Sequence, residues 1–308
     1  MNNLKAFDVR YVKLHFAAQI AEDTVLPVNK VSALRGGMGE MLLRANCVRD
    51  RNCGSCDFET ECIVRRTMYS KMEIRPVFMT RGDSVGYVLE CEDYREKFSA
   101  GDIFTFNLIL FGKTIVYFSQ FLNAFYALGQ RGLGKEKGHF RITEVTNSKG
   151  EPVLDRDSVY MQKYVIASLG DYVQYREKVL AGKERIRIKF QSPLSLKYKG
   201  EQQERFRIEA VMSACRRRVY MLDCFEGIEC DLPVDNSFII PEEEAEMHRA
   251  VRVRRYSSRT DAGMELKGIE GELEISKPDP GSLQLLIAGE LIHIGKNTSF
   301  GFGRYRLK

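Results

Sequence analysis

One order of elements, strand, helix, strand, strand, helix, strand, can be read twice along the 308 residues. In the opening VRYVKLHFAAQI, Val12, Leu14, Phe16 and Ala18 alternate with Tyr11, Lys13 and His15, the period-two pattern of a half-buried strand. Residues 31–46 predict a helix weakened by Gly36, Gly37 and Gly39. After an ill-defined stretch, GYVLEC (86–91) and DIFTFNLILFG (102–112) read as strands, 114–130 as an apolar helix and HFRITEV (139–145) as a strand. The second half repeats this order. Ile186, Ile188 and Phe190 alternate with Arg185, Arg187 and Lys189, while Ile208, Val211, Met212, Cys215, Val219 and Leu222 share one face of a helix. Residues 249–258 and 268–276 then read as strands, 282–294 as mainly helix and 301–307 as a closing strand. The fold class predicted is α+β: tandem ferredoxin-like (RRM-like, βαββαβ) domains, with a four-cysteine metal knuckle inserted in the first.

The predicted division is an N-terminal domain over 1–150 with a Cys-rich insertion at 47–62, a linker region over 151–183 and a C-terminal domain over 184–308. Gly150, Pro152, Gly170 and Gly182 punctuate the linker. With 44% hydrophobic and 29% charged residues, the composition excludes a disordered chain. A net charge of +5 identifies a nucleic-acid binder only if the charges cluster. The start, MNNLKAFDVR, shows no apolar segment of a secretory signal. Residues 103–130 carry one charge, Lys113, yet their scattered polar residues suit a strand followed by a helix better than a membrane span. The expectation is a soluble cytoplasmic protein with no membrane partner. The acidic run Glu242–Glu244 reads as a solvated loop or helix start.

Cysteine gives the sharpest local signal, Cys47-x5-Cys53-x2-Cys56-x5-Cys62. Clustering of this kind in a chain without an export signal points to a metal site, not to a disulfide framework. The inner pair reaches one ion from a tight turn at Gly54, and the outer pair closes a four-sulfur tetrahedron that suits structural Zn2+, with an iron–sulfur cluster or free buried thiols as the alternatives. Such a closed site leaves no open position, so no catalytic metal is expected. Arg44, Arg49, Arg51, Arg65 and Arg66 flank it, while Cys91, Cys215, Cys224 and Cys230 read as scattered thiols.

Two glycine-rich stretches, GQRGLGKEKGHF (129–140) and GKNTSFGFGRYRLK (295–308), occupy equivalent places in the two halves. The second carries Lys296, Arg304, Arg306 and Lys308 with no acid, a composition suited to phosphate as well as to a plain turn. Arg249, Arg252, Arg254, Arg255 and Arg259 fall within eleven residues, and alternation places Arg252, Arg254 and Tyr256 on one sheet face. Together with Arg185, Arg187, Lys189 and the run Arg216–Arg218, they make RNA the expected ligand. Arg255, Arg259, Gly295, Lys296, Ser299, Gly301, Gly303 and Arg304 are the candidate RNA contacts.

The C-terminal string HIGKNTSFGFGRYRL resembles the terminal glycine-rich loop of the CRISPR-associated endoribonucleases of the RAMP (repeat-associated mysterious protein) superfamily. RYSSR (255–259), LKGIEGELEI (266–275), FQSPLSL (190–196), LGQRGLGKEKGHFRI (128–142) and LRGGMGEML (34–42) fall in the matching order, and the cysteine insertion resembles one zinc-knuckle branch. The resemblance implies two ferredoxin-like domains, binding of CRISPR repeat RNA, other CRISPR effector subunits as partners, and metal-independent cleavage leaving a 2′,3′-cyclic phosphate. Many members carry a histidine in the helical region of the first domain. This chain has none between Phe16 and Gly138, although Tyr69 and Lys71 lie in the equivalent stretch.

Cleavage by the RNA's own 2′-OH needs a general base, a proton donor and a cation at the phosphorane. Of His15, His139, His248 and His293, the last precedes the glycine loop, so His293 with Lys296 is the predicted catalytic pair. The leading expectation is a repeat-RNA endoribonuclease. The alternative is a non-catalytic RAMP subunit that binds guide RNA, which the missing first-domain histidine favours. A zinc-knuckle adaptor that binds protein would leave the basic loop without a role.

Overall fold

The computed structural model describes residues 7–79, 84–156, 158–228, 238–257 and 262–308. The first half runs β1 (Arg10–Ile20), β2 (Thr24–Val25), α1 (Lys30–Asn46), α2 (Ile63–Thr67), β3 (Tyr87–Glu90), β4 (Lys97–Phe98), β5 (Ile103–Phe111), α3 (Phe118–Arg131) and β6 (Phe140–Asn147). Its sheet has the antiparallel order β3-β5-β1-β6, with β2 and β4 paired separately. This is the ferredoxin-like order. Val12, Leu14, Phe16 and Ala18 point into a core beneath α1 and α3, where Phe16 stacks on Phe106 with ring centroids 4.8 Å apart.

The expected linker is folded. β7 (Pro152–Asp155) and β8 (Ser158–Val159) extend the first sheet beyond β6, and β9 (Ala167–Ser168) pairs with the start of β1. α4 (Leu169–Leu180) follows, its N-terminus closed by reciprocal bonds between Ser168 and Asp171. Arg176 in α4 is buried and forms a two-pronged pair with Glu290 (2.8 and 2.9 Å), tying the segment to the second half.

That half runs β10 (Arg185–Phe190), β11 (Lys197–Tyr198), β12 (Glu201–Gln202), α5 (Ile208–Glu226), β13 (Glu243–Ser257), β14 (Ala262–Ser276), α6 (Pro280–Ile292) and β15 (Tyr305–Leu307). The order β13-β14-β10-β15 repeats that of the first sheet. Its core does not stop at the domain boundary. Tyr11, Val88, Ile109 and Phe111, on the back of the first sheet, share one apolar cluster with Val211 and Leu222 of α5 and Leu285 of α6. Among the described residues no helix is long and apolar enough to cross a membrane.

Three charge expectations need correction. The acidic run opens β13, where Glu243 accepts the Ile208 N–H (2.6 Å) and Glu246 the Phe206 N–H (3.1 Å). α5 has no capping side chain of its own at Arg207, so Glu243 serves the orphan N–H of its first residue and Glu246 holds the chain just before it. The arginines of β10 and β13 face carboxylates on their own sheet: Arg185 with Glu244 (2.8 Å), Arg187 with Glu274 (3.1 Å), Arg249 with Glu270 (2.8 Å), and Arg252 and Arg254 both near Glu265 (3.7 and 3.6 Å). Arg216 and Arg218 are buried, and Arg218 donates to the Ile292 and Val85 carbonyls. Arg216 and Arg218 thus serve the fold, whereas the arginines of β10 and β13 stay largely exposed beside their carboxylates.

Candidate nucleic-acid interface and interdomain polar site

The glycine-rich loop between α6 and β15 folds back on itself and against the first domain. His293 ends α6 with φ 55°, an uncommon conformation for a residue with a Cβ. Ile294 N–H then bonds Gly303 O (3.1 Å), Lys296 N–H bonds Ser195 O (2.7 Å) and Gly303 N–H bonds Pro193 O (2.8 Å). Gly303 has φ 73°, and a Cβ there would stand 1.8 Å from Ile294 O, so only glycine fits. Phe300 lies against the Arg35 guanidinium of α1, 4.4 Å from ring centroid to Cζ, and Gly301 faces Val31 of α1. The N–H groups of Gly301 and Gly303 are consumed within the fold, so these glycines serve backbone geometry.

Beside the loop opens a cleft of about 410 Å³, lined by Gly295, Lys296, Ser299, Lys197, Lys199 and Arg217, with Phe78 among its walls. Lys296, Lys197 and Lys199 are exposed and form no ion pair among the described residues. The predicted contacts Gly295, Lys296 and Ser299 therefore share one basic cleft. Lys197 and Lys199 join them from the β11–β12 hairpin, a contribution that nothing in their local sequence announces. Arg255 is described only by its backbone in β13, and Arg259 lies outside the described residues.

On the other side of the loop lies a buried polar cluster. Glu90, at the end of β3, has 2% of its side chain exposed. Its Oε2 accepts from Lys13 Nζ (2.9 Å) and Asn107 Nδ2 (2.8 Å), while Oε1 faces His293 Nε2 (3.0 Å) and Arg304 Nε (3.3 Å). Burial alone would raise the Glu90 carboxyl, but Lys13, His293 and Arg304 together hold it well below its usual range. His293 is fully buried, and its other nitrogen meets Phe302 O at 3.2 Å. Burial pushes the ring below its ordinary titration range, against the pull of Glu90, and Arg304 and Lys13 add to the downward push. This corrects the expected role of His293. With no exposed surface and both ring nitrogens committed, it cannot reach a ribose hydroxyl; it fixes the root of the loop. Arg304 is likewise tied to Glu90 and, at 2.5 Å, to Glu92. Tyr69 stacks under Arg65 and Lys71 pairs with Glu59 at 3.2 Å.

Cys47, Cys53, Cys56 and Cys62 all line one cleft of about 400 Å³ between the end of α1 and α2. Cys53 is exposed and the other three are half-buried. Arg51 N–H, in a left-handed turn at φ 66°, points at Cys47 Sγ (3.2 Å). The donor set is right for zinc, but among the described residues no three potential ligands stand close enough to hold an ion. The sulfurs share a cleft without forming a ligand shell.

Comparison with known proteins agrees with this architecture. The family model AF_1859_N, N-terminal domain, matches residues 8–168, and the model CRISPR-associated endoribonuclease Cas6 matches residues 188–305. No curated protein matches the chain. A partial Cas6-RT-Cas1–Cas2 complex has a similar fold (TM-score 0.57, 13% identity), covering 97% of this chain and 46% of that one. A fuller form of that complex covers 97% and 29%, so this chain spans less than half of those larger proteins. A Cas6 product complex (TM-score 0.52, 15% identity) is matched over 96% of this chain and 99% of that one, and a second such complex (0.53, 12%) over 97% and 99%. The chain belongs to the AF_1859_N family, whose N-terminal domain model covers more than half of it, and residues 188–305 are similar to the CRISPR-associated endoribonuclease Cas6 model.

Proposed function

We propose that the chain binds CRISPR repeat RNA along the basic cleft beside the glycine-rich loop and cleaves it through the RNA's own 2′-OH. No metal takes part in the reaction, and the products end in a 2′,3′-cyclic phosphate and a 5′-hydroxyl. The observation that carries the reading is the convergence of Lys296, Lys197 and Lys199, which pair with no carboxylate among the described residues, on one cleft within the Cas6-matching half. Lys296 supplies a cation to the phosphate, and the fixed loop holds it in place. Incubation with a cognate repeat transcript in EDTA tests this: cleavage with cyclic-phosphate ends supports it, and cleavage only with added divalent ions refutes the metal-free step.

A second reading, a guide-RNA-binding subunit without nuclease activity, gains from the burial of His293 and the absence of histidine between Phe16 and Gly138. Tight binding of the repeat without cleavage selects it. Other CRISPR proteins are the proposed partners, supported by the likeness to the Cas6-RT-Cas1–Cas2 complex. Zn2+ is the proposed structural ion, supported by the single cleft that all four cysteines line; it would clamp the segment after α1 and take no part in cleavage.

A further inference from the structure

All four histidines lie among the described residues, and three are already engaged. His293 is buried in the interdomain cluster, His139 Nδ1 pairs with Glu22 Oε1 at 3.0 Å, and His248 Nδ1 pairs with Glu246 Oε1 at 2.8 Å. His15 differs. It stands in the middle of β1, half-buried, two residues from Lys13 on the same sheet face, and has no carboxylate partner among the described residues. Its Nδ1 lies 2.6 Å from Oδ1 of Asn107, the residue directly opposite on β5.

Asn107 is not free to turn over. Its Nδ2 donates to Glu90 Oε2 at 2.8 Å, and a carboxylate only accepts, so the amide must offer its oxygen to His15. An oxygen acceptor in turn requires the proton to be on Nδ1. The neutral ring therefore keeps a lone pair on Nε2, for which no partner stands among the described residues. A chain of three contacts thus fixes both the orientation and the tautomer of His15, the arrangement that makes an imidazole a directed base. The same Glu90 holds Lys13 at 2.9 Å and Arg304 at 3.3 Å, so two cations are anchored to the carboxylate that sets the base.

We infer that His15 Nε2 is the general base of RNA cleavage, with Asn107 and Glu90 as positioning residues; the inference rests on the endoribonuclease reading above. Nε2 takes the proton of the ribose 2′-OH, and the 2′-oxygen forms a bond to the adjacent phosphorus. The bond from phosphorus to the 5′-oxygen breaks, and a solvent water protonates the leaving oxygen. His15 returns its proton to solvent, so no water is consumed and the phosphate ends cyclic. Lys13 offsets charge that builds on the phosphorane oxygens.

Single-turnover cleavage of repeat RNA by His15→Ala and His15→Gln should fall by about 10²–10⁴-fold, the usual contribution of a general base, with RNA affinity unchanged. Retained affinity shows that the variants are folded, and added imidazole should restore part of the rate to His15→Ala. Asn107→Ala should lose less, and the ring-nitrogen NMR signals of His15 should show it leaving the Nδ1–H tautomer, a change that loss of packing alone would not produce. Wild-type cleavage with both His15 variants undiminished overturns this inference alone. A wild-type chain that binds repeat RNA and never cuts it overturns the endoribonuclease reading together with this one.

Discussion

Glu90 Oε1 and His293 Nε2 meet at 3.0 Å across 203 residues of sequence, joining a strand of the first domain to the last helix of the second. Removing one member of a buried ionic cluster leaves the others without compensation, so Glu90→Ala should cost about 3–5 kcal/mol of stability in denaturant unfolding. Glu90→Gln keeps the shape and should cost less. Equal stability of Glu90→Ala and wild type would show that the cluster contributes nothing.

The same pair sets an acid limit. Both groups titrate below their ordinary values when folded, His293 below 6.5 and Glu90 well below 4.5. The folded state therefore binds fewer protons than the unfolded chain, and stability is greatest above these values. Melting temperature should fall as pH drops below about 6.5, and fall more steeply below about 4.5, where Glu90 takes a proton in the unfolded chain but not yet in the folded one. His293→Gln should remove the first part of that slope and leave the second.

Glycine substitutions should divide by location. Gly303→Ala adds a Cβ 1.8 Å from Ile294 O at φ 73°, so it should displace the loop and lower both stability and RNA affinity. Gly36→Ala, in α1 with nothing within 4 Å of the new Cβ, should stabilise by roughly 0.5–1 kcal/mol because alanine is the better helix former. Thermal unfolding of the two variants reads both signs in one experiment.

The basic cleft predicts a contrast in salt dependence. Lys296→Ala and Lys199→Ala should each weaken repeat-RNA binding and flatten the log–log salt slope by about one phosphate contact's worth of counterion release. Arg252→Ala should change it less, since Glu265 already faces that guanidinium. If the arginine variant loses more affinity than the lysine variants, the RNA follows β13 and not the loop.

Metal analysis of purified protein should find about one zinc per chain, as one set of four thiolates holds one ion. Cys53→Ser should speed hydrogen exchange over 45–65 and spare the second domain, because ion and local fold are coupled. Metal-free protein with unchanged exchange would leave the cysteines as ordinary thiols.

Where local pattern decides the structure, the sequence could be read closely. The alternation in β1 and the single face of α5 place their residues in the core because periods of two and 3.6 are fixed by backbone geometry. What could not be read were partnerships set by the fold alone. Glu90 looks like any strand residue in GYVLEC, and only docking of the second domain brings His293 and Arg304 to it. Arg252 and Arg254 looked like phosphate contacts because the carboxylate that answers them is on the neighbouring strand. One signal was available for the site on β1. Lys13 and His15 stand on a strand whose other face is wholly apolar, and Asn107 and Glu90 are polar in mainly apolar strands. Four polar residues on paired strands mark a place where water or a ligand is met.

Tyr11, Val88, Ile109 and Phe111 share their core with α5 and α6. The point where the duplicated pattern restarts is therefore not a seam along which the protein can be divided. Either half produced alone would present an oily surface to solvent and tend to self-associate, so neither is a portable RNA-binding module. The two copies of the motif have become one cooperative unit, in which loss of structure at one end is felt at the other.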